Sequence, residues 1–503
     1  MDAGLTTNPI IRATMVAIPI LLLGMFIAMN ISTTLIPILF LLLLVAIAML
    51  QLFCRDVRVE AVVVSLLITG YMIGNRGFAQ ISIVQPLFLG ELGLGLCGFM
   101  LMLRYALTRE AIELQTWLAR SIALFLLVGS VHALFDRKSF PLIEVIRDFA
   151  IVYYAGFFFV AFQGSIASRS RAFIANVIQG AILGHALVAI LLVIRPGWLM
   201  IPVIRNIPIL AQKEDLTATF SVACIFILFL RRTFLGSAWL RRIVICLLAA
   251  TVFVGISRSA LLALAATSIL IWIARRRNFF GYWLVLAGLG SLILLVAEFG
   301  FANSEWRPVF RQFNEKIVSM TDFSGRAKYE TELGQYKADD NEFRRTFWKT
   351  MVNQTTRTAP VFGKGFGYDF LPEFERIYGR GTWDRLRSPH NYFISVYGRL
   401  GLVGFGVFAS IALLLLRGAI KAATLVRVGL LDTETLGYWC AACVLLVSAT
   451  FGVVLEGPMG GVLFWSFLGF GASGLKLHDM AKEASREQSL TPLATHESAL
   501  ATG

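Results

Sequence analysis

Stretches of 15 to 25 apolar residues recur along this chain from Met15 to Phe470, and no other feature limits its possible folds so strongly. A helix crossing the roughly 30 Å hydrocarbon layer of a bilayer needs about 20 consecutive apolar residues. With 57% hydrophobic and 15% charged residues over 503 positions, the chain holds more apolar surface than one soluble core can enclose. The bilayer must be its solvent. Inside a bilayer the backbone has no water to bond to, so unbroken apolar runs of this length fold as helices. Runs at about 13–29, 34–53, 60–75, 81–103, 118–135, 142–164, 172–194, 217–230, 243–257, 259–274, 280–299, 390–416, 437–455 and 461–475 predict an all-α polytopic membrane protein with about 12–14 transmembrane helices.

The formal charge of +14 would suggest nucleic acid in a soluble protein, but here it follows the runs. Arg55 and Arg58, Arg104 and Arg109, Arg169 and Arg171, Arg231 to Arg242, Arg275 to Arg277, and Arg417 to Arg427 mark every second junction. Under the positive-inside rule these junctions are cytoplasmic, as are both termini. The first run is read as a retained helix. The cysteines lie in or beside apolar runs, so they predict no disulfide framework, and the Cys440-x-x-Cys443 pair reads as helix packing.

This topology divides the chain into N-terminal transmembrane helices (1–300), an extracytoplasmic loop domain (301–389), C-terminal transmembrane helices (390–475) and a polar, disordered cytoplasmic tail (476–503). The loop domain holds over a third of the charged residues in under a fifth of the length. Helices are predicted near 308–319 and 341–354, and Gly363, Gly365 and Gly367 then force a turn. No phosphate-cradling glycine loop, zinc-ligand spacing or acidic pair for a nucleotide sugar falls on the cytoplasmic side.

The chemistry is therefore expected at the outer surface. An arginine deep in an apolar segment costs about 2.5–3.5 kcal/mol on the insertion scale, so outer arginines need a reason. Arg147 reads equally as an anion ligand or as an ion pair with Asp148 and Glu144, and Arg205 as an anion ligand or a headgroup contact. Arg258, in Gly255-Ile-Ser-Arg-Ser-Ala260, has no acidic neighbour in sequence and favours an anion site. His132 and His185 read as satisfied core residues. His390 stands where the loop re-enters the membrane, after Pro389 and before Asn391, and an imidazole suits proton abstraction from a hydroxyl near neutral pH.

These residues resemble a family. His390-Asn391, nine residues, Gly401, two residues and Gly404 look like the H-[NSQ]-x9-G-x-x-[GTY] pattern of the O-antigen ligase and polymerase superfamily of membrane glycosyltransferases. Ser257-Arg258-Ser259-Ala260 is similar to its S-R-G-A segment. Arg344-x-x-x-Trp348, followed by Pro360 and the three glycines, is similar to its R-x-x-x-W…P-x-x-G-x-G-x-G stretch. One departure is that Ser324-Gly325-Arg326 stands upstream, so Arg326 competes with Arg344 as the functional loop arginine; the distances to Trp348 and the glycines favour Arg344.

The resemblance implies a GT-C-like enzyme of the bacterial inner membrane that works on the periplasmic face without metal or cofactor. It would move an undecaprenyl-diphosphate-linked glycan onto lipid A-core or another glycan, with inversion. His390 would be the base, Arg258 and Arg344, then Arg147 and Arg205, the diphosphate ligands, and Asn391, Trp348, Gly401 and Gly404 their support. Tyr368, Phe370, Tyr378 and Trp383 read as sugar-stacking or as loop packing. A polymerase joining repeat units fits the same residues. A transporter of the lipid-linked glycan is the alternative of another class; it predicts discontinuous helices and midplane charges, with Glu91 and Glu456 as its best features.

Overall fold

The computed structural model describes residues 57–84, 87–108, 114–202, 207–255, 257–275, 281, 315, 332–378 and 387–490, with 83–84, 87, 108, 253–255, 332–341, 378 and 488–490 described by their backbone alone. The expected runs at 13–29, 34–53 and 280–299 and the expected helix at 308–319 lie outside these residues or almost so. Each other expected run is helical: α1 Val59–Ala79, α2 Leu89–Thr108, α3 Trp117–Asp136, α4 Leu142–Tyr153, α5 Gly156–Ile166, α6 Ser168–Ile194, α7 Glu214–Leu230, α8 Ala238–Gly255 and α9 Arg258–Ile273. After the loop segment come α10 Glu332–Thr358, α11 Leu371–Tyr378, α12 Tyr392–Arg427, α13 Thr433–Ser448 and α14 Pro458–Leu490.

Among the described residues, six helices are long and apolar enough to cross a membrane, and a seventh span forms if α4 and α5, bent by 43° at their junction, are one. With the apolar α9 and α13 beside them, they make a multi-pass membrane protein. The bundle is graded. α7 is buried on every face and the apolar part of α14 is almost wholly enclosed, its polar end from residue 480 being exposed, so both contribute interior segments. α2 and α3 instead turn Phe99, Met102, Leu107, Leu127, Leu134 and Phe135 outward. Such an exposed apolar belt is stable only against lipid.

Side chains start the helices where the sequence changes character. Thr116 caps α3 by accepting from Ala119 N–H at 3.2 Å, and Asp432 caps α13 by accepting from Thr435 N–H at 2.6 Å. The basic junctions meet at one end. Arg58 donates to Gln163 O at 3.1 Å and its N–H to Ser170 at 2.9 Å; Arg171 reaches Ser473 at 3.2 Å; Arg231 pairs with Glu434 at 2.6 Å and bonds Ala175 O at 3.4 Å; Lys421 pairs with Asp479 at 2.8 Å. Alternate junctions thus share a face, as the arginine pattern predicts.

Several expectations change in detail. The run expected at 81–103 opens as an antiparallel hairpin, β1 Ser82–Val84 with β2 Leu87–Phe88, before α2 begins. The helix expected at 341–354 starts earlier, at Glu332. The tail expected to be disordered from residue 476 continues α14 to Leu490, because Lys476 and Asp479 still find partners, Gln115 and Lys421, on neighbouring elements.

His185 is fully buried and held at both ring nitrogens, by Met72 O at 2.9 Å and Ser221 at 3.1 Å, a satisfied core histidine. Cys440 and Cys443 are buried within α13.

Candidate active site

The site is built where a helix breaks. α12 is interrupted at Gly401, whose φ of 62° and ψ of −157° leave the helical region. A break inside a membrane helix exposes backbone groups that nothing in lipid can satisfy. Here the segment 360–367 fills it. Lys364 and Gly365 N–H donate to the orphaned carbonyls of Gly398 and Arg399 at 2.8 and 3.0 Å, while Leu402 and Val403 N–H donate to Pro360 and Val361 O at 2.9 and 3.1 Å.

Gly363, Gly365 and Gly367 all have positive φ, at 74°, 85° and 90°, which glycine alone adopts freely. A Cβ at Gly363 would collide with the backbone of Arg399 and Gly401, and one at Gly401 with that of Val361. Gly404 lets the Leu400 side chain lie across it. The two glycine motifs of the sequence are the two halves of one joint.

Arg399 and Asp148 lock this joint from beneath. Arg399, only 2% exposed, pairs with Asp148 at 2.7 Å and donates to Gly365 and Tyr368 O, each at 3.3 Å, and to Arg387 O at 3.1 Å. Asp148 also accepts Gly367 N–H at 2.7 Å, and Asp136 accepts Phe366 N–H at 2.7 Å while pairing with His132 at 3.0 Å. Arg387 pairs with Glu144. The ion-pair reading of Arg147, one of the two left open, is not what the contacts show: Asp148 faces Arg399 and Arg387, Glu144 pairs with Arg387, and Arg147 is exposed.

On this platform the loop helix carries Arg344 and Trp348 one turn apart. Arg344 donates to Phe451 O at 2.8 Å, and Trp348 Nε1 donates to Pro389 O at 2.5 Å. The next residue, His390, sits in the left-handed region at φ 55°, uncommon for a residue with a Cβ and a frequent sign of a functional position. Asn391 then caps α12 by accepting from Ile394 N–H at 3.2 Å. Tyr392 N–H donates to Ala449 O at 2.9 Å, so Arg344 and the His390 segment are both tied to residues 449–451.

Cations gather at this place. Burial holds the Lys213 ammonium below its usual range; Asp215 and Glu456 oppose that, and the charges of Arg344 and Arg76 add to it. Lys213, Arg344, Arg76 and Glu456 therefore share one electrostatic neighbourhood.

Of the residues singled out from the sequence, the contacts bring together Arg344, Trp348, His390, Asn391 and Gly401. Arg258 is the first residue of α9, half-buried beside Ser257 and Ser259, whose hydroxyls lie 3.1 Å apart. Arg205 and Arg326 lie outside the described residues, as do Trp383 and the Tyr378 side chain. Tyr368 accepts from Gln354 at 2.7 Å and meets Phe140 and Phe370 edge to face, and Phe370 is fully buried, so both pack the loop. Sequence reasoning passed over Arg399, Arg387, Ser388, Ser395 and Lys213. Arg399, lodged between Gly398 and Gly401 in an apolar run, carried the one readable signal.

Between α9, α12 and α13 an apolar cavity of about 510 Å³ is lined by residues including Thr267, Leu270, Phe393, Leu413, Leu416 and Val447. Phe393, three residues after His390 in the chain, is one of its lining residues.

Fold and site define a multi-pass helical membrane protein with a polar, cation-rich site at one end of the bundle. Residues 243–409 match the Wzy_C family model, described as O-antigen ligase, so the resemblance carried by the motifs holds over the stretch that contains Arg258, Arg344, His390, Gly401 and Gly404. That family implies glycosyltransferase activity of the ligase or polymerase type. No curated protein matches the sequence.

Proposed function

We infer that this chain is an O-antigen ligase-type glycosyltransferase of the bacterial inner membrane. It transfers an undecaprenyl-diphosphate-linked glycan to lipid A-core or another glycan acceptor on the periplasmic face. The observation that carries the reading is the presentation of His390: a left-handed residue held between a Trp348-anchored proline and an Asn391-capped helix, with Arg344 tied to the same turn.

His390 takes the proton of the acceptor hydroxyl as its oxygen attacks the anomeric carbon, a contribution worth about 10²–10⁴-fold. The bond to the diphosphate oxygen breaks on the opposite face, and the lipid diphosphate leaves with the electron pair, giving inversion. Arg344 and Arg258 bind that growing charge, guanidiniums being suited to bidentate phosphate contact. The apolar cavity beside Phe393 receives the first isoprene units of the donor.

Two features favour the transport alternative: the breaks in α1 at Asn75, with φ 41°, and in α12 at Gly401, since discontinuous helices are common in transporters. At Gly401, however, both broken ends are sealed by the 360–367 backbone, which leaves no open helix ends to hold a substrate.

The test is surface-glycan profiling of a deletion strain complemented with wild type, His390→Ala, Arg258→Ala or Arg344→Ala at equal membrane levels. Long glycan restored by wild type alone supports transfer at this site. A deletion strain that accumulates lipid-linked polymer indicates a ligase, and one that keeps single repeats a polymerase. Full rescue by His390→Ala removes the base and favours transport.

A further inference from the structure

Beside His390 lies a carboxylate that the base mechanism does not use. Glu456 stands in the turn before α14, and both its oxygens are engaged: Ser388 donates to one and Ser395 to the other, the latter at 2.6 Å. These serines bracket His390 in the chain. Ser388 also accepts the His390 N–H at 3.3 Å, and Tyr392 N–H holds the start of the same turn through Ala449 O. One carboxylate thus bridges the approach to α12 and its first turn, across the residue at φ 55°.

We propose that Glu456 is a positioning residue for His390: through Ser388 and Ser395 it fixes the backbone that presents the imidazole, and its negative charge favours the imidazolium formed when the acceptor proton is taken. The inference rests on the reading of His390 as the base. A carboxylate near an imidazole favours its charged form, and a base oriented by a third group is a recurring arrangement in activated sites.

The groups facing Glu456 suit this role. Lys213 at the start of α7 and Arg399 on α12, the latter already matched by Asp148, act on it through their charge. Arg344 stands by Lys213 from α10, and Tyr392 feels the carboxylate from the first turn of α12. Burial nevertheless raises the Glu456 carboxyl above the ordinary carboxylate range, with Ser388, Ser395, Arg399 and Lys213 opposing the rise. Among the described residues, the hydrogen bonds that hold the charge come from the two serine hydroxyls.

Two variants separate the parts of the proposal. Glu456→Gln keeps the shape and removes the charge, because an amide can accept from one serine and donate to the other. Ser388→Ala/Ser395→Ala keeps the charge and removes the bridge. The full-length protein is reconstituted in liposomes with a synthetic polyprenyl-diphosphate-linked glycan as donor, and transfer is followed against pH.

For Glu456→Gln the expected result is a kcat lower by about tenfold, a donor KM within about twofold, and an acidic limb displaced to lower pH, because an imidazole without a neighbouring anion protonates less readily. Glu456→Asp recovers part of the rate and returns the limb toward its wild-type position. The serine double variant lowers kcat without moving the limb. Wild-type kcat and limb in Glu456→Gln overturn the proposal. So does a uniform loss at every pH accompanied by lower thermal stability, which marks a scaffold residue. If His390→Ala remains active, the base reading itself fails; if His390→Ala is dead while Glu456→Gln is normal, only this inference fails.

Discussion

Removal of the Arg399 guanidinium tests whether the platform beneath the site is an electrostatic lock. In Arg399→Met the side chain keeps most of its length, but Asp148 loses its 2.7 Å partner, and the carbonyls of Gly365, Tyr368 and Arg387 lose a donor. Asp148, 7% exposed, then keeps the Gly367 N–H and a 3.6 Å contact with Arg387, which is already paired with Glu144. Breaking one side of a buried ion pair costs about 3–5 kcal/mol.

Asp148→Asn should cost less, because an amide oxygen still accepts Gly367 N–H. The double variant should fall short of the sum of the singles by about 1–3 kcal/mol, since the stranded charge has gone. The assay is a double-mutant cycle of thermal unfolding in one detergent, with transfer measured on the same preparations. Strict additivity, or Arg399→Met as stable as wild type, would refute the lock.

Other consequences are equally direct. Gly363→Ala places a Cβ against the Arg399 and Gly401 backbone at a φ of 74°, so it should lower stability by more than about 2 kcal/mol and abolish transfer, read by unfolding and glycan profiling. Trp348→Phe removes the 2.5 Å bond to Pro389 O; membrane levels should hold while transfer falls about tenfold, a loss of roughly 1.4 kcal/mol in transition-state stabilisation. Ala412→Phe fills the apolar cavity and should raise the KM for a long-chain polyprenyl donor more than for a truncated one.

The Glu456 carboxyl is raised in the folded protein, so its contribution to stability is fully present in acid, below the unfolded value, and is lost as pH rises through the folded value. Glu456→Gln should then be at least as stable as wild type at neutral pH, with the advantage vanishing on acidification. Thermal unfolding across pH checks this.

What the sequence could convey followed from periodicity and spacing. Apolar runs located the described helices other than α10 and α11, because lipid leaves a long apolar segment no other way to satisfy its backbone. The arginine junctions gave the ends of the bundle, since Arg58, Arg171 and Arg231 do meet on one side. The motifs pointed to Arg344, Trp348, His390 and Gly401 as one constellation. Long-range pairing was not legible: Asp148 had Arg147 beside it in the chain, yet its partner is Arg399, 251 positions away. The breaks at Asn75 and Gly401 were legible only as interruptions, Gly74-Asn75-Arg76-Gly77 and Gly398-Arg399-Leu400-Gly401, and the backbone angles are what show that the helix leaves its path there.

The break at Gly401 explains why these motifs occur together. The helix carrying Arg344 and Trp348 is largely polar, and its buried apolar side chains, Phe347 and Met351, pack with Phe370 and Phe374 and against Gly398. Backbone hydrogen bonds add to that attachment. Opening α12 exposes the Gly398 and Arg399 carbonyls and the Leu402 and Val403 N–H groups, and 360–367 takes up all four. That pairing demands glycines on both sides, where backbones approach too closely for a Cβ. The loop is thereby fastened to the helix that begins just after His390, and Trp348 reaches Pro389 from a fixed distance. The glycines spaced along the motif fasten the arginine-bearing helix to the helix that follows His390.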